Sequence, residues 1–231
     1  MRCFVLAGGF GSRLQPYTDV LPKCLLPVYS KPCARWIVEH LQNQGFSNIT
    51  ICINEPYKEL WMHEFRDLNI KFSVTPKPLG SAGELLRAAV VDIQETFLMV
   101  YGDDLSFLNY RKLVEFHRSK ADAIGTLALT KKVPLEVGVV TLNDQGLIRE
   151  FREKPYLDLM AWTGVACLEP EILNYMDWTR ETDFARDVLP SVLRDGKKLY
   201  GYSEDVEWLD IGSITHFKKA SEKAQKGELI R

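Results

Sequence analysis

A glycine-rich turn followed by two cationic side chains is the segment of this sequence best suited to phosphate chemistry. The turn reads Leu6, Ala7, Gly8, Gly9, Phe10, Gly11, Ser12, Arg13. Its glycines expose backbone N–H groups and let a phosphate approach closely. Arg13 offers a planar guanidinium fork, and Lys23, which follows Pro22, adds a point charge. We therefore expect this turn and its cations to bind a polyphosphate.

Two other phosphate-binding patterns do not fit the turn. The dinucleotide fingerprint read from Gly9 requires glycine or alanine at the place of Leu14, and a Walker A loop requires Gly-Lys-Ser/Thr at its end. A plain strand-to-helix turn with a solvated Arg13 and Lys23 stays open as the alternative, because a glycine-rich turn on its own has that role more often.

A pair of carboxylates, Asp103 and Asp104, follows an apolar run and could hold a metal ion. Paired carboxylates at a strand end suit a hard cation such as Mg²⁺ that bridges phosphates. Template-copying polymerases share the Gly102-Asp103-Asp104 tripeptide, but they are much larger, basic proteins. This chain has 231 residues and a formal net charge of −2, from 29 Lys plus Arg against 31 Asp plus Glu. We therefore exclude nucleic-acid binding.

Strands that alternate with helices must position these groups. We predict strands at Arg2–Ala7, Asn48–Asn54, Ile70–Thr75, Phe97–Tyr101, Ile124–Thr130, Gly138–Leu142 and Trp162–Leu168, and helices at Pro32–Gln44, Pro56–Asp67, Ser81–Val91, Tyr110–Ser119 and Ser213–Lys226. Ser81 and Glu84 have the spacing of a capping box at the start of the third helix. The alternation predicts an α/β fold with an open, mostly parallel (mixed) sheet and helices on both faces. Ligands bind beyond the carboxyl ends of the strands in such a sheet, where the glycine turn and Asp103 both lie.

The remaining composition is typical of one continuous intracellular domain. No linker rich in Pro, Gly or Ser divides the chain, so we expect a single domain. The longest apolar runs, such as Phe97–Val100, are far shorter than the roughly 18 residues that span a bilayer, and the start of the chain does not resemble a signal peptide. Five scattered cysteines without zinc spacing indicate reduced thiols. We expect a cytoplasmic protein that binds no membrane, and whether it forms a homo-oligomer stays open.

The residues from Leu6 to Val28 closely resemble the signature of the sugar-1-phosphate nucleotidylyltransferases, L-A-G-G-x-G-x-R-L-x-P-x-T…P-K-x-L-x-P-V. Further segments follow in the family's order: Pro78–Gly83, Tyr101–Asp104, Val137–Val140 (with Val137 where the family has Tyr), Phe151–Pro155, Thr163–Gly164 and Trp208–Ser213 (with Ser213 where the family has Thr). Such an ordered series, over almost the whole chain, is far more specific than any one of its motifs.

The resemblance implies a Rossmann-like nucleotidyltransferase fold in one domain, with a nucleotide-binding half at about residues 1–120 and a sugar-phosphate-binding half at about 121–231. It implies that the nucleotide contacts Leu6, Ala7, Gly8, Gly9, Gly11, Ser12, Arg13, Lys23, Pro78, Gly80, Ser81 and Asp103. It implies that the sugar phosphate contacts Gly138, Glu153, Lys154 and Thr163. Mg²⁺ would be held by Asp103 and Asp210, and whether Asp104 joins them stays open. The catalytic cations would be Arg13 and Lys23.

The implied activity is that of an EC 2.7.7 transferase of nucleotide-sugar biosynthesis. A sugar-1-phosphate oxygen would attack the α-phosphorus of a nucleoside triphosphate and release pyrophosphate, with help from Mg²⁺. The run Leu79–Gly83 and the Phe-x-Glu-Lys-Pro segment at Phe151–Pro155 favour the branch of the family that uses GTP and makes GDP-mannose or GDP-heptose.

Three alternatives stay open. The first is a uridylyl- or thymidylyltransferase acting on glucose- or amino-sugar-1-phosphate, although thymidylyl relatives have Gly-Leu-Ala-Gln where this chain has Gly80–Gly83. The second is a catalytically silent paralogue that binds a nucleotide sugar and regulates a partner subunit. It is disfavoured because Arg13, Lys23, Asp103 and Asp210 are all present. The third, a cytidylyltransferase for a small phospho-alcohol, is disfavoured by the Glu-Lys-Pro segment.

Overall fold

A seven-stranded sheet forms the centre of the computed structural model, which describes residues 1–9, 11–89, 93–133, 135, 137–156, 159–177 and 179–229. The strands in those residues are β1 (Cys3–Leu6), β2 (Pro27–Val28), β3 (Lys31–Pro32), β4 (Ile49–Asn54), β5 (Lys71–Thr75), β6 (Phe97–Tyr101), β7 (Asp104–Ser106), β8 (Ala123–Thr130), β9 (Val139–Leu142), β10 (Ile148–Arg152), β11 (Ala161–Leu168), β12 (Lys198–Ser203) and β13 (Trp208–Asp210). The α-helices are α1 (Cys33–Asn43), α2 (Lys58–Glu64), α3 (Gly80–Ala89), α4 (Tyr110–Arg118), α5 (Leu189–Arg194) and α6 (Ile214–Gln225).

The order of the strands brings the glycine turn and Asp103 to one edge of the sheet. That order is β12-β8-β11-β6-β1-β4-β5. Strands β6, β1, β4 and β5 run parallel, β12 runs parallel to β8, and β11 is antiparallel to both of its neighbours. The last residues of β1 and β6, Leu6 and Tyr101, lie opposite each other. The loops that follow these strands therefore meet beyond the same carboxyl ends.

Helices cover both faces of the sheet because successive side chains of each strand point to opposite faces. Cys3 and Val5 of β1 point into a core shared with α1, α2, α4 and α6, whereas Phe4 and Leu6 point into a core shared with α3 and α5. The five cysteines are buried and unpaired, as predicted. None of the described helices is long and apolar enough to cross a membrane. The structure confirms the predicted α/β fold with a mixed sheet and helices on both faces.

Within the described residues, three two-stranded ladders lie outside the main sheet, and one of them brings predicted site residues together. Strand β7 pairs antiparallel with β13, which places Asp210 directly opposite Asp104. Strand β2 pairs with β3 just before α1, and β9 pairs with β10 in an exposed hairpin. Six strands were not predicted from the sequence, because short or exposed strands carry little apolar periodicity: β2, β3, β7, β10, β12 and β13.

Several predicted elements begin or end at other residues. Pro32, predicted as the first residue of a helix, instead precedes α1 in an extended conformation. The predicted helix Pro56–Asp67 is a short 3₁₀ turn, Glu55–Tyr57, followed by the shorter α2. The predicted end of the third helix at Val91 lies outside the described residues, and α3 is described as far as Ala89.

Phe97 tests how much the centre of the sheet contributes to stability. Its side chain is fully buried on β6 and packs edge to face against Phe4, with ring centroids 5.6 Å apart. Phe97→Ala should lower the free energy of unfolding by about 3–5 kcal/mol, because the substitution removes a buried aromatic ring and leaves a cavity. Urea denaturation of the purified protein measures this change.

Phe151→Ala is the matched control, because the Phe151 side chain is 62% exposed on β10. This second substitution should change the free energy of unfolding by no more than about 0.5 kcal/mol. A Phe97→Ala protein as stable as the wild type would contradict the assignment of β6 to the centre of the core.

Candidate active site

The loop after β1 folds over the side chain of Lys23. Gly11 has φ +69°, a left-handed conformation that glycine adopts without steric cost. A Cβ atom at Gly11 would lie 2.8 Å from the Cβ of Lys23 and 2.9 Å from the Cγ2 of Thr18. The Thr18 hydroxyl donates to the Gly11 carbonyl at 2.9 Å, which fixes this end of the loop. Both backbone conformation and close packing therefore require glycine at position 11.

Lys23 is a buried cation held between two carboxylates. Its side chain is 8% exposed, and its ammonium group donates hydrogen bonds to Asp103 and, at 3.2 Å, to Oδ1 of Asp210. Burial by itself would lower the pKa of Lys23, but the charges of Asp103 and Asp210 outweigh burial and raise that pKa above its ordinary value. Lys23 therefore stays charged at physiological pH.

Asp103 and Asp210 meet because β7 and β13 pair beside the main sheet. The Ile211 N–H donates to the Asp103 carbonyl at 3.1 Å, next to that ladder. The Gly212 N–H donates to Oδ1 of Asp210 at 2.6 Å and orients the carboxylate. Arg13, whose side chain is 71% exposed, places Nη2 3.7 Å from Oδ2 of Asp210. The two predicted catalytic cations and the two predicted metal-binding carboxylates thus form one cluster.

A cleft of about 280 Å³ opens beside this cluster. It is lined by Leu6, Gly8, Gly9, Pro78, Gly80, Ser81, Glu84, Tyr101, Asp103, Glu181 and Asp183. These residues come from the glycine turn, the start of α3, the end of β6 and the segment before α5. The other predicted nucleotide-binding residues, Ala7, Gly11, Ser12, Arg13 and Lys23, belong to the surrounding loop and do not line the cleft itself. The structure therefore brings both groups to one region.

The start of α3 shows that the predicted capping box is wrong. The helix begins at Gly80, so Ser81 lies inside the first turn and not at the N-cap. The Ser81 hydroxyl donates to Asp183 at 3.0 Å and accepts the Phe184 N–H at 2.8 Å. The Ala82 N–H, in the first turn, donates to the Thr182 carbonyl at 2.9 Å. This N–H has no partner within the helix, and an N-cap side chain would otherwise accept its hydrogen bond. A distant segment thus replaces the cap and closes one wall of the cleft.

Glu84, the other half of the predicted capping box, faces the glycine turn. The residue is 4% exposed, and its Oε2 accepts the Gly8 N–H at 3.3 Å. A Cβ atom at Gly8 would overlap the Glu84 carboxyl group. Burial raises the pKa of Glu84 to about 7; the Gly8 hydrogen bond opposes this shift and the charge of Glu181 adds to it. A buried carboxyl group with such a pKa in a cleft is a candidate functional residue.

Asp104 neighbours the cluster around Lys23, but its carboxyl group packs in a different direction. It is 7% exposed, and its carboxyl group packs against Gly164 of β11, where an added Cβ would overlap it. Burial, together with the charges of Asp103 and Asp210, raises the pKa of Asp104 well above its ordinary value. The side chain therefore belongs to the packing between β7 and β11.

The four predicted sugar-phosphate residues do not line the cleft. Gly138 and Glu153 are neighbours at the exposed hairpin, where a Cβ at Gly138 would lie 2.7 Å from the Phe151 ring and 3.2 Å from Oε2 of Glu153. Lys154 is exposed beside them, with φ +44°. The Thr163 hydroxyl is fully buried and donates to a backbone carbonyl of β8 at 3.0 Å. Their contact with a sugar phosphate stays a prediction.

Comparison with known proteins connects this arrangement to one family. The family model described as nucleotidyl transferase matches residues 3–227. A UTP–glucose-1-phosphate uridylyltransferase from Synechocystis sp. is 32% identical, over 95% of this chain and 62% of its own length. A D-glycero-α-D-manno-heptose 1-phosphate guanylyltransferase from Aneurinibacillus thermoaerophilus is 29% identical, over 97% of this chain and 99% of its own length. The chain spans about three fifths of the length of the curated relatives it matches first.

A solved structure shows the same fold. HddC from Yersinia pseudotuberculosis matches with a TM-score of 0.76 at 22% identity, over 96% of this chain and 99% of that chain. At 22% identity this match supports the fold alone, and that fold agrees with the one predicted from the sequence.

The raised pKa of Glu84 gives the folded state a measurable pH dependence. The carboxyl group has a pKa of about 7 in the folded state and of 4.5 as an ordinary Glu side chain, so the folded state binds the proton more tightly. Its contribution to stability is full below about pH 4.5 and is lost as the pH rises through about 7. Between about pH 4.5 and pH 8, the wild type should lose roughly 3 kcal/mol of its free energy of unfolding through this group. The Glu84→Gln variant has no such carboxyl group and should not show this loss.

Urea denaturation at a series of pH values measures this difference. Glu171→Gln is the control, because Glu171 is half exposed and pairs with Lys197 at the surface. That variant should keep the pH dependence of the wild type. If the Glu84→Gln protein instead followed the wild type at every pH, the raised pKa of Glu84 would be wrong.

Proposed function

Because this chain belongs to the nucleotidyl transferase family, we propose that it joins a nucleoside triphosphate to a sugar-1-phosphate and releases pyrophosphate. The observation that carries the proposal is the burial of Lys23 beneath the glycine turn, in contact with Asp103 and Asp210 beside the cleft. A plain strand-to-helix turn would leave this lysine in solvent. A fixed cation beside a loop of backbone N–H donors is instead suited to a polyphosphate.

The proposed reaction moves a nucleotidyl group between two anions. An oxygen of the sugar phosphate attacks the α-phosphorus and forms a new P–O bond. The bond from the α-phosphorus to the oxygen that bridges to the β-phosphate breaks, and pyrophosphate leaves with that electron pair. The attacking phosphate is already ionised at neutral pH, so no side chain has to remove a proton. Catalysis then depends on positioning and on charge neutralisation.

Three cations offset the repulsion between the substrates in this proposal. Lys23 is held in place by its two carboxylates, and Arg13 is exposed beside one of them. We assign both to the α-phosphate and the leaving pyrophosphate, together with the N–H groups of the glycine turn. We assign Lys154 to the attacking phosphate, as the resemblance to the family implies.

Asp103 and Asp210 have the donor atoms that a magnesium ion uses. Mg²⁺ is commonly bound through one or two carboxylates plus substrate phosphates and not by a full protein cage. The part of the chain that the structure describes contains no cluster of three or more His, Cys, Asp or Glu side chains arranged for a metal. When bound with the nucleotide, Mg²⁺ would neutralise phosphate charge. Lys23 keeps the two carboxylates close together.

The topology supports a division of the domain into a nucleotide half, about residues 1–120, and a sugar-phosphate half, about 121–231. Strand β11 runs antiparallel to β6, so its first residues lie beside the carboxyl end of β6. Thr163 is one of those residues, and the chain enters β11 from the hairpin that precedes it. This register supports the proposal for Thr163, which lies near the edge of the sheet that holds the cleft.

We propose GTP as the nucleotide and mannose- or heptose-1-phosphate as the sugar. A relative of which 99% of the length is matched by this chain is named a guanylyltransferase for heptose 1-phosphate. The alternative is a uridylyl- or thymidylyltransferase acting on glucose- or amino-sugar-1-phosphate, because the Synechocystis relative is a UTP–glucose-1-phosphate uridylyltransferase. We place the reaction in the cytoplasm.

Pyrophosphate release tests the proposal directly. GTP, UTP, dTTP, CTP and ATP are each combined with a panel of sugar-1-phosphates in the presence of Mg²⁺. One pair far above the rest supports the proposal and identifies the base and the sugar. No release from any pair, by a folded protein that still binds a nucleotide sugar, would instead favour the catalytically silent regulatory protein.

Asp103→Asn should lower kcat by at least about a hundredfold, because it removes one of the two carboxylates that hold Lys23 and the proposed metal. Asp104→Asn is a matched control, since it makes the same change one residue away at a carboxyl group that packs against Gly164. This control should keep a kcat close to that of the wild type. Equal losses in the two variants, both shown to be folded by thermal melting, would contradict the assignment of Asp103.

Lys154→Ala should raise the KM of the sugar phosphate by about tenfold or more while leaving the KM of the nucleotide near its wild-type value, because a charged hydrogen bond to the attacking phosphate is lost. Arg152→Ala is the control, since Arg152 is an exposed cation of the same hairpin, 3.7 Å from Glu150. Steady-state kinetics with each substrate varied in turn provides both constants. Equal rises in the two KM values would remove the specific role of Lys154.

A further inference from the structure

The wall of the cleft formed by α3 and the segment before α5 is acidic. Glu84, Glu181 and Asp183 all line it, and the described lining residues include no Lys or Arg. The cations of the site, Lys23 and Arg13, contact Asp103 and Asp210 and do not line the cleft. Phosphates are therefore drawn to the loop around Lys23, and the part of a nucleotide that enters the acidic cleft must be uncharged and must donate hydrogen bonds.

Glu84 is the residue of this wall that is buried and still has unused capacity to accept hydrogen bonds. Among the described residues, the Gly8 N–H at 3.3 Å is its one hydrogen-bond donor, and an ionised carboxylate can accept about four hydrogen bonds. Asp183, in contrast, already accepts hydrogen bonds from the Ser81 hydroxyl and the Arg186 N–H. Glu84 therefore has acceptor capacity that the protein itself does not use.

The surroundings hold the Glu84 carboxyl group at a fixed place in the cleft. Its position directly over Gly8 depends on the missing side chain there. The Gly8 carbonyl accepts a hydrogen bond from Nδ2 of Asn54, and Oδ1 of Asn54 accepts one from the Thr75 hydroxyl at 2.9 Å. This chain of hydrogen bonds ties the Gly8 backbone to β4 and β5. A rigid, buried acceptor of this kind can discriminate between ligands, because a polar group left without a partner is costly.

The bases differ in the hydrogen-bond donors that they present to such an acceptor. Guanine presents two neighbouring donors, N1–H and the N2 amino group, which match the two oxygens of a carboxylate. Uracil and thymine present a single N–H between two carbonyl oxygens, and those oxygens would face the negative charge. Adenine and cytosine each present one amino group beside an acceptor nitrogen. Guanine is therefore the base whose donors a carboxylate satisfies most fully.

We infer that Glu84 is a specificity-determining residue that accepts hydrogen bonds from N1–H and the N2 amino group of a guanine base in this cleft. The inference rests on the proposed function in taking the cleft as the nucleotide site. It adds a residue and a chemical reason for selecting guanine.

Direct binding measurements test the inference without turnover. Wild-type protein is titrated calorimetrically with GTP, ITP and UTP in the presence of Mg²⁺ and without sugar phosphate, at about pH 8.5, where a carboxyl group with a pKa of about 7 is ionised. ITP has N1–H but lacks the N2 amino group. The wild type should bind GTP about tenfold more tightly than ITP, and UTP more weakly than either. Glu84→Gln should weaken GTP by about tenfold to a hundredfold, the effect of losing hydrogen bonds to a charged group. It should also bring GTP and ITP to nearly equal affinity.

Two controls separate this role from a structural one. Glu171→Gln, at the surface, should leave all three affinities unchanged. Thermal melting checks that Glu84→Gln is folded, and Glu84→Ala repeats the test should the glutamine variant not fold. If Glu84→Gln weakens GTP, ITP and UTP by the same factor, Glu84 acts only through Gly8 and the inference is wrong. Wild-type protein that binds UTP as tightly as GTP would also overturn it.

The binding data also distinguish this inference from the proposed function. A protein that selects guanine through Glu84 but releases no pyrophosphate with any sugar-1-phosphate supports the inference and refutes the proposed activity. A folded protein that releases pyrophosphate from UTP, with no preference for GTP, refutes the inference alone. A folded protein that binds none of the three nucleotides refutes both.

Discussion

The buried ammonium group of Lys23 is the constraint on which the rest of the site depends. A lone buried charge is strongly unfavourable, so this lysine requires carboxylates close by. Asp103 follows β6 and Asp210 ends β13, so one cation ties together three segments that are distant in the sequence. Lys23 also restricts the sequence of the loop above it, because any side chain at Gly11 would collide with the aliphatic part of the Lys23 side chain.

The antiparallel strand β11 explains how a mostly parallel sheet supplies two sides of one site. Parallel strands send all their following loops to one edge, and here those loops carry the glycine turn and Asp103. Since β11 runs the other way, it is the beginning of this strand that lies at that edge, next to Tyr101 and Gly102. Gly164, with φ +74°, leaves room there for the Asp104 carboxyl group. The antiparallel direction of β11 therefore places part of the second half of the chain next to the first half.

Elements that depend on local sequence patterns could be predicted, whereas elements that depend on contacts with distant segments could not. Strands β1 and β6 are continuous buried apolar runs, and Arg13 and Lys23 belong to one contiguous motif, so both were predictable. Strands β7 and β13 have three residues each and exist because they pair with each other, which no local pattern shows. The Ser-x-x-Glu spacing satisfied a local rule, but a carbonyl far along the chain, that of Thr182, took over the cap.

The failure of that local rule is itself informative. Glu84 is buried against the Gly8 backbone beside the cleft, where removal from water makes an ionised carboxylate costly. The raised pKa of this carboxyl group reflects the cost of its burial. Gly8 must also lack a side chain for that group to fit. Two positions far apart in the sequence are thus restricted for one carboxyl group in a cleft, and stability given up in this way is typical of a residue retained to bind a ligand.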